Sequence, residues 1–323
     1  MGAVLYGYLE RPWIPRLLLF LLIFMAAVWI DLTDTMMGRA LLPAISSTTG
    51  VAAGVVPRLL IAIVLGVALV GNLALVRALP FKAQVLVVWS ELLTLVLLFF
   101  YSFDLSYPYI IPRLPIMIFT GAVTTIYISL ISIAIACVIA LAGALARLSQ
   151  SGPAYAVATF YISFFRGTPL LLQVYLIYLG LPQLGLTLEA VPSGIIALSL
   201  CYGAYMAEIF RAGIEGVPVG QREAAKALGL RQGPIMRKIV LPQAMRLIVP
   251  PTGNQFIAML KDSSLVSVMG VWELMFLART QGRAEFRHLE MLITAAIIYW
   301  IISLVFELMQ ARIETYYGKG GPR

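Results

Sequence analysis

The chain reads Glu223-Ala224-Ala225, then Gly229, then Ile239-x-Leu241-Pro242 in a charged loop between two apolar stretches. Three residues separate Ala225 from Gly229, and nine separate Gly229 from Ile239. Between Arg211 and Pro250 there are seven Lys or Arg and two Glu, a net charge of +5. We interpret this loop as a segment that leaves the membrane to contact a water-soluble partner.

The composition around the loop is that of a membrane protein. Of the 323 residues, 61% are hydrophobic and 12% are charged, whereas a typical soluble domain has about 25% charged residues. A bilayer accommodates so many apolar residues and a soluble core does not. The formal net charge is +8, but the basic residues lie mostly in short loops, where they set membrane orientation. We therefore expect contact with lipids and none with nucleic acid.

Eight apolar stretches predict an all-α, polytopic membrane protein. The fifth and seventh are the weakest, because they are short or contain polar residues. With both termini inside, the inner segments hold 16 of the 23 Lys and Arg and the outer segments hold 6, which predicts cytoplasmic termini and a cytoplasmic charged loop. The eight stretches lie at 14–30, 59–76, 84–101, 119–146, 168–184, 193–212, 246–262 and 289–308.

A proline-rich segment divides the chain. Tyr107-Pro108, Ile111-Pro112 and Leu114-Pro115 fall within residues 102–118. Because a residue before proline is biased away from helical backbone, we expect a non-helical link here. The predicted parts are an accessory module of three spans at 1–117, a functional core at 118–317 with its cytoplasmic loop at 213–245, and a cytoplasmic tail at 318–323.

Proline and glycine predict the shape of the charged loop. Pro218 suits the first turn of a helix, and Gly229 suits the position just past its end. These signals predict a helix of about two turns over Gln221 to Leu228. Pro234 repeats the start signal for a second helix, which Leu241-Pro242 would kink or interrupt.

The short helix is predicted to offer a surface to a partner. Ala224 and Ala225 leave a shallow face that another protein can approach closely, and Glu223 can cap the helix start or form an ion pair. The alternative is a solvated loop that is basic only because of the positive-inside rule.

The spacing of Glu-Ala-Ala, Gly and Ile-x-Leu-Pro resembles the signature of the inner-membrane permease subunits of ABC importers. Other segments between about Thr120 and Tyr317 resemble the branch that imports polar amino acids, which includes the histidine, glutamine and glutamate permeases. They are Gly121-Ala-Val-Thr-Thr125, Phe165-Arg-Gly-Thr-Pro-Leu-Leu-Leu-Gln173, Tyr205-Met-Ala-Glu208, Arg211-x-Gly213-Ile214, Gly220-Gln221 and Lys261-Asp-Ser-Ser-Leu265.

The resemblance implies a type I permease core of five helices in a bacterial inner membrane. It implies that two copies of an ATPase subunit, which carry ATP and Mg, dock on the charged loop. It further implies a second permease subunit, identical or homologous, and an external amino-acid-binding protein that delivers the substrate. The docking residues that it implies are Gly220, Glu223, Ala224, Ala225, Leu228, Gly229, Ile239, Leu241 and Pro242.

Polar residues inside the spans are candidates for a substrate path. An acidic residue at membrane depth costs on the order of 2.5–3.5 kcal/mol on insertion scales, so we expect it to face protein or water. An amino-acid zwitterion needs partners of both signs, which Lys261 and Asp262 supply. The candidate path residues are Gln173, Glu208, Asn254, Lys261, Asp262, Ser263 and Ser264.

Each of these residues also has a purely structural interpretation. Lys261 can extend its ammonium group from a helix end into the interface, and Asp262-Ser263 can cap the next segment. Glu208 is a candidate for a structural ion pair with Arg166, which would hold two helices in register.

The sequence lacks motifs for chemistry. It has no Gly-x4-Gly-Lys-Ser/Thr loop for a nucleotide and no nucleophile set such as Gly-x-Ser-x-Gly. His288 is the single histidine, so we expect no metal site. We predict a permease that is not itself an enzyme, needs no cofactor in this chain and is powered by the ATPase. The alternatives are a secondary transporter or channel driven by an ion gradient, which would favour inverted repeats, and an intramembrane enzyme.

Overall fold

The computed structural model describes residues 13–30, Pro43, 55–101 and 105–318, and these residues are helical apart from short connections. The predicted all-α class is confirmed for them. The chain separates into two units, Met1–Asp104 and Leu105–Arg323. This division falls inside the proline-rich segment, earlier than the expected division after residue 117.

The first unit contains three described helices: α1 (Trp13–Ile30), α2 (Val55–Arg77) and α3 (Phe81–Tyr101). Most of the apolar side chains of α3 are exposed, as expected for a helix whose surroundings are lipid. In one polar contact inside the unit, Asn72 of α2 donates a hydrogen bond to the carboxylate of Glu91 on α3, at 3.0 Å. This contact gives an acidic side chain in the middle of an apolar helix a polar partner.

The second unit contains the remaining described helices. Its described residues end at Gly318, so residues 319–323 of the predicted tail lie outside them. A π-helical turn, Met236–Val240, joins the helices Gln232–Ile235 and Leu241–Asp262, and a 3-10 helix, Ser263–Met269, follows the second of them. The helices are α4 (Tyr107–Leu148), α5 (Gly152–Gly167), α6 (Leu170–Leu184), α7 (Ala190–Glu215), α8 (Val219–Ala227), α9 (Gln232–Ile235), α10 (Leu241–Asp262), α11 (Leu274–Ala284) and α12 (His288–Gly318).

The proline-rich segment is helical, so the predicted non-helical link is wrong. Tyr107–Ile110, Ile111–Arg113 and Leu114–Ile116 follow one another as short helical turns at the start of α4. Each turn has its proline at the first or second position. At a helix start the missing N–H costs little, because the first N–H groups have no partner within the helix. These prolines therefore lengthen the start of α4 and do not end a helix.

Five described helices are long and apolar enough to cross a membrane, or six if one bent pair counts as a single span. The bent pair is α5 with α6, which meet at 107°, so the predicted fifth span is part of a broken helix. α10, at the predicted seventh span, contains Pro250 and Pro251 and is not among the five. The count of eight is therefore not confirmed, and the orientation that depends on it stays a prediction.

Small side chains line the extensive contact between α4 and α7. A Cβ added at Gly143 would lie 3.1 Å from the Cβ of Ala207, and the hydroxyl of Ser199 donates to the carbonyl of Ser132 at 3.2 Å. Because lipid tails are as apolar as leucine, close backbone approach and van der Waals contact are what hold membrane helices together. The seam of alanine, glycine and serine therefore fixes α4 against α7.

We predict that Gly203→Leu destabilises the second unit. A Cβ at Gly203 would lie 2.8 Å from the hydroxyl of Tyr161 and 2.9 Å from Ile139, so a leucine forces neighbouring helices apart. Overpacking of this kind costs about 1–3 kcal/mol, which should lower the midpoint of thermal unfolding in detergent. Gly71→Leu is the matched control, because nothing lies within 4 Å of a Cβ at Gly71. Equal losses in the two variants would contradict the packing argument.

Candidate functional site

The buried side of α8 attaches this helix to the second unit. Ala225 is only 2% exposed and packs in a cluster with Ile214, Val217 and Ala244. Ile239 packs at the edge of the same cluster. The fold thus joins the Glu-Ala-Ala part of the motif to its Ile-x-Leu-Pro part through apolar contacts.

The predicted shallow face of Ala224 and Ala225 is wrong in one respect. Successive helix residues point about 100° apart, so Ala224 is exposed while Ala225 faces the interior of the chain. The exposed positions of α8 and of the residue that caps it include Val219 (65%), Glu223, Ala224 and Leu228 (81%). We refer to these four side chains as the α8 surface.

A glycine turn ends α8. The N–H of Leu230 donates to the carbonyl of Ala225 at 3.2 Å, and the N–H of Gly229 donates to the carbonyl of Lys226 at 2.9 Å. The φ angle of Gly229 is 75°, a left-handed conformation that a side chain disfavours. The turn is the one expected from Gly229, although α8 begins at Val219, earlier than the predicted Gln221.

Arg222 ties α8 to the end of α7. Its guanidinium donates to the carbonyl of Ile214, one of the last residues of α7. No sequence signal predicts this contact, because nothing distinguishes Arg222 from the other basic residues of the loop. Arg222 and Ala225 are three residues apart and lie on the same side of α8, so this side is fastened to the membrane helices at two points.

The predicted ion pair between Glu208 and Arg166 is wrong. The carboxylate of Glu208 pairs with Arg147 at 3.3 Å and with Arg211 at 2.9 Å. The guanidinium of Arg166 instead lies over the ring of Tyr205, 5.4 Å from its centroid. Arg211 is one turn away on the same helix and Arg147 ends the helix packed beside it, so both reach Glu208 more directly. Glu208 therefore fastens α4 to α7.

A polar cleft forms where the bend between α5 and α6 meets α7 and α10. It has a volume of about 440 Å³, and its polar lining includes Arg166, Tyr205, Gln255 and Asp262. Tyr202 also lines it and donates a hydrogen bond to Asp262 at 2.7 Å. The cleft thus presents a guanidinium and a carboxylate, which are the two charges complementary to a zwitterion. Of the candidate path residues, Asp262 is the one that lines it.

Two other candidate path residues make structural hydrogen bonds. Gln173 is 3% exposed, and its amide donates to the carbonyl of Phe165 and to the hydroxyl of Thr168, both at 2.9 Å. These bonds support the bend between α5 and α6. The Asn254 side chain accepts a hydrogen bond from Gln310 of α12 at 3.0 Å, which joins α10 to α12.

The remaining candidates surround the end of α10. Lys261 is exposed and Ser264 is half-buried, whereas Ser263 is buried and donates to the carbonyl of Leu260 at 2.7 Å. Asp262 makes no capping hydrogen bond to the following 3-10 helix, so the capping interpretation is wrong. Its carboxylate is available to the cleft.

Glu273 is a buried acid that the sequence reasoning missed. Its side chain is 0% exposed, caps α11 by accepting from the N–H groups of Met275 and Phe276, and accepts from the hydroxyl of Tyr299 at 2.7 Å. Burial raises the pKa of Glu273 to about 7, although its hydrogen bond from Met275 acts in the opposite direction. An acid directly before the amphipathic run that starts at Leu274 was the available signal.

Residues 139–317 match the family model of the binding-protein-dependent transport system inner membrane component. The chain belongs to this family. It is therefore a permease of the bacterial inner-membrane type, and the resemblance to permease subunits of amino acid ABC transporters is confirmed by the relatives that follow.

Two relatives align with most of their own length. The chain is 38% identical over 212 residues to the arginine transport system permease protein ArtQ of Bacillus subtilis (strain 168). The aligned region makes up 65% of this chain and 96% of the relative. It is also 37% identical over 205 residues to the glutamine transport system permease protein GlnP of Escherichia coli (strain K12). This aligned region makes up 63% of this chain and 93% of the relative.

Solved structures show the same fold. An amino acid ABC transporter crystallised with histidines has a TM-score of 0.63 and 37% identity, over 66% of this chain and 99% of that chain. The methionine ABC transporter MetNI, in inward-facing conformations, has a TM-score of 0.56 and 19% identity, over 64% of this chain and 98% of that chain. The second likeness concerns the fold alone.

We predict that Gly229→Ala loosens the end of α8 in the permease. A left-handed conformation costs a residue with a Cβ roughly 1–2 kcal/mol, so amide hydrogen exchange at residues 225–231 should accelerate in the purified protein. Gly233→Ala is the matched control, because Gly233 has no positive φ and nothing within 4 Å of an added Cβ. Unchanged exchange in Gly229→Ala would contradict the role assigned to this turn.

Proposed function

We propose that this permease is the membrane subunit of an ABC importer for amino acids and that a separate ATPase subunit docks on the α8 surface. The observation that carries the docking proposal is the division of α8 into a fastened side and an exposed side. Ala225 and Arg222 hold the helix in place, while Glu223 and the apolar Leu228 face outward. A large exposed apolar side chain next to charged groups is typical of a protein interface.

The attachments of α8 offer a route from the ATPase to the cleft. Arg222 connects α8 to α7, which carries Tyr202, and Ala225 connects it to the start of α10, which ends at Asp262. Closure of two ATPase subunits around ATP would displace α8 and with it the two helices that form the cleft. Such a displacement would switch access to the cleft between the two sides of the membrane.

The proposed complex contains two permease subunits, two ATPase subunits and an external amino-acid-binding protein. ATP and Mg belong to the ATPase, because the sequence has no nucleotide-binding loop of its own. Because the distribution of Lys and Arg predicts cytoplasmic termini, we expect the α8 surface on the side of the membrane where ATP is available. Membership of the binding-protein-dependent family favours this arrangement over transport driven by an ion gradient.

The proposed substrate is an amino acid that passes through the cleft. The relatives named above are permeases for arginine and glutamine, and the cleft places Arg166 and Asp262 around one cavity. The carboxylate of Asp262 suits the substrate ammonium, and the guanidinium of Arg166 suits a carboxylate.

We predict that Glu223→Arg abolishes ATPase docking. Reversal of an exposed charge at the centre of an interface places like charges together, which we expect to weaken binding by at least about tenfold. The measurement is co-purification of ATPase subunits with the tagged permease, identified by mass spectrometry. Glu189→Arg is the matched control, since Glu189 is exposed and directly precedes α7, at the helix end away from α8. Docking retained in Glu223→Arg would remove the basis for the proposed interface.

We predict that Asp262→Asn raises the KM for ATP-dependent amino acid uptake into proteoliposomes. Loss of the charge partner of an ammonium group is expected to raise KM about tenfold, with a smaller change in the maximal rate. Tyr202→Phe keeps the carboxylate and removes only its hydrogen bond, so its KM should change much less. An unchanged KM in Asp262→Asn would exclude this carboxylate from substrate recognition.

A further inference from the structure

α11 has a buried face and a face that opens onto a second pocket. Leu274, Leu277 and Ala278 are buried, and they hold the helix against its neighbours. The residues of the opposite face are three or four positions apart in the sequence, as residues on one side of a helix are. This face lines a pocket of about 510 Å³ with Phe276, Arg279, Thr280 and Arg283.

The other walls of this pocket come from three further elements. Tyr175 lies on α6, Ser267 and Val268 on the 3-10 helix after α10, and His288 at the start of α12. The pocket is thus built by the tertiary fold, and its walls carry hydroxyl and ring N–H donors besides the two arginines. We call it the α11 pocket.

The two arginines of the α11 pocket lack acid partners. Among the described residues, neither Arg279 nor Arg283 makes an ion pair or a side-chain hydrogen bond. The buried Glu273 acts on Arg279 only through space, because its oxygens already accept from two N–H groups and a tyrosine. Nearby arginines do have partners: Arg113 pairs with Glu285 at 2.6 Å, and Arg287 pairs with Glu290 at 2.9 Å.

Two guanidinium groups one helical turn apart repel each other, and an anion between them would offset that repulsion. The planar guanidinium group also matches the geometry of a carboxylate, with which it forms two parallel hydrogen bonds. The chemistry of the pocket therefore selects a carboxylate or a similar oxyanion.

The α11 pocket lies nearer to the start of α7 than the polar cleft does. Asp262 bonds to Tyr202, whereas a Cβ at Gly194, closer to the start of α7, would lie 2.8 Å from Val266. These two α7 positions are about 12 Å apart along the helix at 1.5 Å per residue. Since Ser267 follows Val266, the pocket is displaced from the cleft toward the helix end that is remote from α8.

We propose that the α11 pocket binds the carboxylate of the transported amino acid before the substrate reaches Asp262, an inference that rests on the proposed function. Arg279 and Arg283 hold the carboxylate by charge-assisted hydrogen bonds, and Thr280 and Tyr175 supply hydroxyl donors beside them. The α11 pocket and the polar cleft share no lining residue, so they are two separate sites along the proposed path of the substrate.

Chemical protection of the arginines tests this site directly. The full-length permease is placed in phosphatidylcholine nanodiscs and treated with phenylglyoxal, and modification of Arg279, Arg283 and Arg287 is read by mass spectrometry. The probes are L-glutamine, L-histidine and L-glutamate, each compared with its α-amide; L-arginine is omitted because it reacts with the reagent. At a probe concentration roughly ten times Kd, modification of Arg279 and Arg283 should fall about tenfold, while Arg287 is unchanged.

Three results would overturn the site. They are no protection by any of the amino acids, equal protection by the α-amides, and protection in phosphatidylglycerol nanodiscs without amino acid, which would identify a lipid phosphate as the anion. Uptake by the wild-type complex is measured in parallel. Uptake without protection contradicts the pocket and leaves the proposed function intact. Protection without uptake supports the carboxylate site and contradicts the transport function.

A matched pair of variants connects the site to transport. Arg279→Gln/Arg283→Gln should raise the KM for uptake about tenfold, because the removed hydrogen bonds are charge-assisted. Arg287→Gln removes a neighbouring arginine that already has a partner in Glu290, so its KM should stay at the wild-type value. A wild-type KM in the double variant would contradict the proposal that the α11 pocket binds the substrate during transport.

Discussion

The close approach of α4 and α7 positions the other helices of the second unit. Large apolar side chains gain nothing by leaving lipid for protein, so the two helices are held by small residues that let their backbones touch, as at Gly143 and Ala207. The ion pair from Arg147 to Glu208 fastens the same two helices. Because α7 also carries Tyr202 and leads into α8, this contact positions both the polar cleft and the α8 surface.

The contacts of α7 and α10 connect α8 to the polar cleft. Arg222 and Ala225 attach α8 to these two helices, and Tyr202 and Asp262 lie further along them. The bend between α5 and α6 closes the cleft from another side and is supported by Gln173. The polar groups are therefore held by helices that α8 contacts directly, and movement of α8 has a short mechanical route to them.

Signals that act on the backbone within a few residues predicted the structure well. Pro218 and Gly229 indicated a short helix and its glycine turn, and the apolar runs indicated membrane helices. The proline-rich segment was misjudged, because the same residue starts a helix or ends one according to the hydrogen bonds around it.

The all-helical membrane class, the family and the glycine turn after α8 could be predicted from the sequence alone, because these follow from apolar length, motif spacing and local backbone preference. Tertiary packing set the burial of Ala225, the pairing of Glu208 with Arg147 in place of Arg166, and the position of Arg279 and Arg283, which form no ion pair within the described part of the chain. Ion pairs and hydrogen bonds act over a few ångströms. Their partners are therefore set by which distant parts of the chain the packing brings together.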